Sequence, residues 1–328
     1  MGSRKQRSAI DTALLLQHYI QQQKAKRKKN ITSVLFLDIK GAFDHVSKPK
    51  LLASMANLRL PSNLISWVAS FLSERTIRLA FDGKIQEETA INIGVPQGSP
   101  ISPILFLIYT RDIWQNKAFQ LSYMDDFSIA LSSTSARKNC RALKEVAESL
   151  MEKAMEKGVQ FEPAKTELIH FHSHRKEETQ GLIIGGHDIK PKNLIRWLGI
   201  WFDSRLSFRQ HVEKKLNSAT ASFFSFQRLG SLQQGLSFRA LQQLYIACVT
   251  TIADFGVPLW YKKSQQGVLL NRYQKLQNMA TRHMLGAFKG SPIRALELEA
   301  AIPPPEIRFE KFVTCMHYGR CGSNQIIL

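Results

Sequence analysis

The stretch Leu121-Ser-Tyr-Met-Asp-Asp-Phe-Ser-Ile129 constrains this chain more than any other. Leu121, Tyr123, Phe127 and Ile129 are β-formers on either side of a short polar break. They read as two strands folded into a hairpin, with Asp125 and Asp126 at the bend. Two adjacent carboxylates at an exposed turn repel each other and stabilise nothing by themselves. They make sense as ligands of a divalent cation, because hard cations take oxygen donors. Further ligands for such a cation have to come from elsewhere in the chain.

A second acid ends the apolar run Ile31-Thr-Ser-Val-Leu-Phe-Leu-Asp38, which reads as a buried strand. Ile39-Lys-Gly-Ala-Phe-Asp44 follows, and Gly41 and Ala42 are small enough for a tight turn beneath whatever Asp38 holds. A strand–helix–hairpin–helix–strand order can bring Asp38 beside the Asp125–Asp126 pair in one antiparallel sheet. Carboxylates converging from neighbouring strands can hold two magnesium ions. One lowers the pKa of an attacking hydroxyl and the other stabilises the leaving oxygen of a phosphoryl transfer.

Charge points the same way. The 328 residues carry a formal net charge of +19, which favours a polyanionic partner: nucleic acid first, an anionic membrane surface second. No run of eighteen apolar residues exists, so no transmembrane helix is expected. The basic N-terminus is not followed by a signal-peptide pattern. Cys140, Cys248, Cys315 and Cys321 are scattered, without paired zinc-ligand spacing, and read as reduced intracellular thiols.

The remaining segments supply helices and punctuation. Ser8 to about Lys28 reads as a helix with a capping-box start at Ser8 and Asp11. It runs into Lys24-Ala-Lys-Arg-Lys-Lys29, either a solvated helix end or a patch for phosphate or nuclear import. Pro49 to Phe71 looks like one helix, and Asp82-Gly83 marks a hairpin turn between strands over 76–81 and 87–93. Gly94-Val-Pro-Gln-Gly-Ser-Pro100 is a loop, because two Gly and two Pro in seven residues fit no helix or central strand. Pro103 then opens a buried helix. Ser135 to Lys157 is the clearest amphipathic helix, capped by Gly158. Short strands follow over 159–161, 167–171, 182–184 and 195–202. Beyond Asp203 the chain turns helical, with candidates at 206–216, 218–229, 238–252 and 268–284, and basic residues recur as far as Arg294.

In order and spacing, Phe36-Leu-Asp-Ile-Lys-Gly-Ala-Phe-Asp44, Gly94-Val-Pro-Gln-Gly-Ser-Pro100 and Tyr123-Met-Asp-Asp126 resemble three core motifs of reverse transcriptases. The resemblance is greatest to the non-LTR (LINE-type) retrotransposon enzymes. Gly158 to Lys165 resembles the next motif of the palm. Trp197-Leu-Gly-Ile200 with Leu206-Ser-Phe208 resembles the primer grip followed by the thumb, and Arg4 to Asp11 the last motif of the fingers. The likeness covers residues 2 to 305.

The resemblance implies an α+β right-hand polymerase: an antiparallel palm sheet backed by helices, partial fingers and an α-helical thumb. Residues 1–30 would be a fingers remnant, 31–202 the palm with an insertion at 49–93, 203–301 the thumb and 302–328 a connector. Asp38, Asp125 and Asp126 would be the catalytic acids. Together with the Ile39 carbonyl they would ligate two Mg²⁺ ions, with Mn²⁺ as a substitute. Phe43 would lie under the sugar and select deoxynucleotides. Gln97 and Gly98 would face the nascent base pair, and Lys165 would protonate the leaving pyrophosphate. Trp197, Leu198 and Gly199 would position the primer end. Asp44 is read as structural. The implied partners are an RNA template, a DNA primer and deoxynucleoside triphosphates, with no membrane. The implied location is intracellular, nuclear with a cytoplasmic ribonucleoprotein phase. Earlier fingers strands, an endonuclease and a ribonuclease H domain are not in the sequence, so a central piece of a retrotransposon polyprotein is expected. The competing expectation is a catalytically weak remnant that only binds RNA or RNA–DNA duplex.

Overall fold

The computed structural model describes residues 7–114, 118–173, 178–227, 235–262 and 267–318. Arg4, Cys321 and two of the later basic residues, Arg228 and Lys263, lie outside them. The chain divides into two units, Met1–Leu198 and Gly199–Leu328.

The first unit is built on a four-stranded antiparallel sheet. Its strands are β1 (Ile31–Asp38), β2 (Phe119–Tyr123), β3 (Asp126–Ser133) and β4 (Glu167–Phe171), in the spatial order β2-β3-β1-β4. Seven of the eight residues of β1 are buried. A central strand covered on both faces has no solvent side, which is why its sequence is an apolar run without alternation. Leu35 and Leu37 point to one face, where α5 (Ala136–Lys157) supplies Leu143, Ala147 and Leu150. Val34, Phe36 and Asp38 point to the other. There Phe36 meets the ring of Trp197 at 5.0 Å.

Local chemistry sets the helix boundaries. In α1 (Ala9–Lys26) the capping box is complete: the Ser8 N–H donates to Asp11 Oδ2 at 2.6 Å, and the Asp11 N–H to Ser8 Oγ at 3.2 Å. The ring of Tyr19 stacks on Phe119 of β2 at 4.1 Å. Gly158 ends α5 with φ 83, a left-handed cap that glycine adopts without strain. The helix expected over 49–71 is two helices, α2 (Lys48–Asn57) and α3 (Ser62–Phe71). α2 ends on Arg59 in the left-handed region (φ 54), with the Leu60 N–H donating to the Met55 carbonyl at 3.3 Å, and Leu60, which precedes Pro61, is held out of the helical region. The 76–93 segment folds back at Asp82 (φ 51) and Gly83 (φ 74), the conformation an Asp-Gly turn favours. It forms only two-residue strands. α4 (Ser102–Thr110) buries Leu105, Phe106 and Tyr109. Val159-Gln-Phe161 contributes no full strand, only a single bridge from Phe161 to Ile39.

The second unit opens with a strand, Ile200–Asp203, and the other regular elements among its described residues are helices. The two helices expected over 206–229 are one, α6 (Arg209–Gln227). It starts late because the Asp203 carboxylate accepts the N–H groups of Arg205, Ser207 and Phe208 at 2.8–3.0 Å, holding a loop. His211 of α6 is fully buried. Its Nδ1 accepts the Trp201 N–H at 3.3 Å, and Nε2 donates to the Phe255 carbonyl at 2.8 Å. Burial lowers its pKa to about 4. Pro305–Tyr318, expected to be connector, is a helix that begins on Pro305. Arg308 on it forms a two-bond ion pair with the buried Asp254. Cys140 and Cys248 carry free thiols.

Candidate active site

The closing pair of the β2–β3 hairpin is Tyr123 opposite Asp126, so Met124 and Asp125 alone form its loop. Asp126 is therefore the first residue of β3 and not part of the bend. The register of β3 on β1 then sets Asp126 directly opposite Asp38, the last pair of that ladder. Directly opposed residues put their side chains on the same sheet face, with Cβ atoms about 5 Å apart. Two acids separated by 88 positions in the chain (126 − 38) thus become neighbours through hydrogen-bond register alone. Met124 takes φ 59, a left-handed value at a loop position that usually carries Gly or Asn. Strain of this kind is held only where the surrounding structure imposes it.

Crowded negative charge is visible at Asp126. Its pKa is raised to about 6, first by burial and then by the charges of Asp125 and Asp38. One cation answers part of that field. Lys165 Nζ donates to Asp38 Oδ2 at 3.0 Å, and this contact raises the lysine pKa. Lys165 reaches Asp38 from the short helix Pro163–Lys165, just beyond the Ile39–Phe161 bridge. That bridge uses the Asp38 carbonyl, which accepts from Glu162 N–H at 3.0 Å, and the Lys40 N–H, which donates to the Gln160 carbonyl at 2.8 Å. Backbone groups alternate sides along a strand, so the Ile39 carbonyl is left on the β3 side.

Oxygen donors crowded beyond their local neutralisation have the chemistry of a hard-cation site. Among the described residues no three His, Cys, Asp or Glu side chains come close enough to form a ready-made metal cage. The donor set fits a divalent ion in kind, with the Lys165 ammonium as the positive charge now against Asp38.

Phe43, Gln97 and Gly98 belong to the turn after Asp38 and to the loop packed on that turn. Phe43 is partly buried, its ring 5.3 Å from that of Phe106. Its carbonyl accepts the Val95 N–H at 2.9 Å, which ties the turn after Asp38 to the glycine-proline loop. Gly94 packs so tightly on that turn that a Cβ would sit 2.9 Å from the Asp44 carbonyl oxygen. Gln97 donates from Nε2 to Asp44 Oδ1 at 2.9 Å. This gives Asp44 a definite partner that sequence alone did not suggest. Gly98 has φ 86, and a Cβ there would meet nothing within 4 Å. Within the protein, backbone conformation and not lack of space is what calls for glycine at 98. Trp197 lies on the carboxylate face, two pleats from Asp38 by way of Phe36, and Leu198 takes φ 50. Gly199, the first residue of the second unit, takes φ 75 and lies against the Phe255 ring. The role of His211 had no signal in the sequence, because neither of its partners is near it in the chain.

The family model described as reverse transcriptase (RNA-dependent DNA polymerase) matches residues 1–202. The chain is 25% identical over 291 residues to a probable RNA-directed DNA polymerase from transposon BS of Drosophila melanogaster, covering 86% of this chain and 32% of that protein. It is 26% identical over 288 residues to the RNA-directed DNA polymerase from mobile element jockey of Drosophila funebris, covering 85% and 31%. The chain thus spans about a third of the length of these relatives. Apo telomerase from Candida tropicalis aligns with a TM-score of 0.44 at 13% identity, over 94% of this chain and 53% of the telomerase chain.

Proposed function

This chain belongs to the reverse transcriptase (RNA-dependent DNA polymerase) family, and from that premise we propose that it is the polymerase core of a non-LTR retrotransposon. It would add deoxynucleotides to the 3′-hydroxyl of a DNA primer on an RNA template. The observation that carries this reading is the register of Asp126 on Asp38, with Asp125 beside them in the hairpin loop.

Asp38, Asp126, Asp125 and the Ile39 carbonyl would hold the divalent cations. Magnesium held there would lower the pKa of the primer hydroxyl and neutralise charge on the phosphoryl group. Lys165 stands beside Asp38 and would hand a proton to the departing pyrophosphate. Phe43 would lie beneath the deoxyribose, braced by Phe106. Gln97 and Gly98 would face the nascent base pair, and Trp197, Leu198 and Gly199 would seat the primer end. Residues 31–202 act as palm on this reading and 203–301 as thumb. Exposed Arg205, Arg209, Lys214, Arg272 and Lys275 would grip phosphates without reading sequence.

The test is incorporation of deoxynucleotides by purified protein on an RNA template–DNA primer with Mg²⁺. Asp125→Asn is expected to abolish it while binding of the template–primer is retained. Equal incorporation by the variant and the wild type overturns the assignment. Binding by the wild type without any extension selects the binding-only remnant instead.

A further inference from the structure

The sheet has a second charged end. β1 runs seven residue steps from Ile31 to Asp38, so its start lies about 23 Å from the carboxylates at 3.3 Å per step. At that far end α1 finishes in Lys26, Arg27, Lys28 and Lys29, all exposed. Arg137 and Lys138, also exposed, stand on the first turn of α5. The two segments are more than a hundred residues apart, and the fold joins them. Ile31 pairs with Ser133, three residues before α5 begins, and Asn139 Nδ2 donates to the Ile31 carbonyl at 2.7 Å. Asn30 locks the α1 end, its side chain donating to the Gln23 carbonyl at 3.0 Å and its N–H to the Arg27 carbonyl at 3.0 Å.

The charge here is locally unbalanced. Among the described residues no ion pair engages any of the six cations. Glu178 is an acid in this neighbourhood, its charge felt at Cys140 of α5. The 22-residue helix α5 also starts without a side-chain cap and without an acid in its first turn. Two cations at the positive end of a helix are the reverse of what the helix dipole favours. An anion bridging α1 and α5 removes both costs together.

We propose that this end of the sheet is a second nucleic-acid surface, which holds a phosphate backbone between the α1 end and the α5 start, away from the carboxylates. Nucleic acid fits better than an import receptor. An import signal is read from one continuous segment, whereas this surface needs two segments brought together by folding, one of them partly helical. A strand leaving the carboxylate end would reach the surface about seven nucleotides on, at roughly 3.4 Å per nucleotide. The role assigned to the strand in that last step rests on the polymerase reading, but the binding surface itself does not.

The experiment uses the full chain and two exposed double variants, Lys28→Glu with Lys29→Glu, and Arg137→Glu with Lys138→Glu. A labelled 20-nucleotide single-stranded RNA is titrated at several KCl concentrations in EDTA, without nucleotides. Duplex DNA is run in parallel to identify which backbone is held. Each pair is expected to reduce the slope of log K against log[KCl] by about 1.4, at about 0.7 per contact on a single strand. A slope unchanged by either pair overturns the proposal. So does nuclear accumulation lost in the 28/29 variant with its RNA slope intact, which assigns residues 26–29 to import. Extension of a primer on a template too short to leave the carboxylate end is measured in the same variants. It reports on the polymerase reading separately and is expected to be unchanged.

Discussion

Replacing Asp126 with Asn should stabilise the protein while removing its chemistry. The carboxyl is held at about 6 instead of 3.8 because it is partly buried against Asp125 and Asp38. At 1.36 kcal/mol per pKa unit the difference corresponds to about 3 kcal/mol. The side chain is partly open to solvent, so screening reduces this to roughly 1–2 kcal/mol. The sign follows from linkage. A carboxyl whose pKa is higher folded than unfolded binds more protons in the folded state between about pH 4 and 6. Stability therefore falls as pH rises through that window, and the loss is complete above it. Asn has nearly the same shape and no charge to crowd. Urea unfolding of the first unit in EDTA at pH 7.5 should show Asp126→Asn more stable by ~1–2 kcal/mol. The advantage should vanish by about pH 4. Mg²⁺ should narrow it at pH 7.5, because an ion that binds only the folded wild type stabilises it by mass action. Incorporation by the variant should be lost. An Asp126→Asn protein no more stable than wild type at pH 7.5, or equally advantaged at pH 4, would refute the claim that these three acids share one field.

The second unit should respond to acid in the opposite sense. His211 is buried neutral with its pKa lowered from 6.5 to about 4, so its contribution of about 3 kcal/mol is intact above pH 6.5 and lost as pH falls toward 4. Hydrogen-exchange protection along α6, taken relative to the slower intrinsic exchange at low pH, should fall over that range in the wild type, and unchanged protection would place the lability elsewhere. The glycines of the 94–100 loop should separate by mechanism. Gly94→Ala strains φ 81 and drives a Cβ into the Asp44 and Phe43 carbonyls, and should cost about 3 kcal/mol of stability in thermal unfolding. Gly98→Ala strains only φ and should cost about 1 kcal/mol. A loss of incorporation with Gly98→Ala larger than that cost explains would place substrate against residue 98.

What the sequence determined unaided was local. The apolar run ending at Asp38, the β-formers around Met124-Asp125, the Ser8–Asp11 capping box and the Gly158 cap are all legible because each depends on residues within a few positions of one another. The break at Pro61 was local too, and the apolar periodicity on either side of it concealed it. Register, burial and charge crowding belonged to the tertiary structure. Only the ladder of β3 on β1 puts Asp126 opposite Asp38, and only the loop contacts put Gln97 on Asp44 and Lys165 on Asp38. Buried His211, held by Trp201 and Phe255, and the basic end shared by α1 and α5 have the same origin. A one-residue slip of a strand leaves composition and periodicity almost unchanged yet sends every side chain to the other face, so register is decided by the packing of the whole sheet.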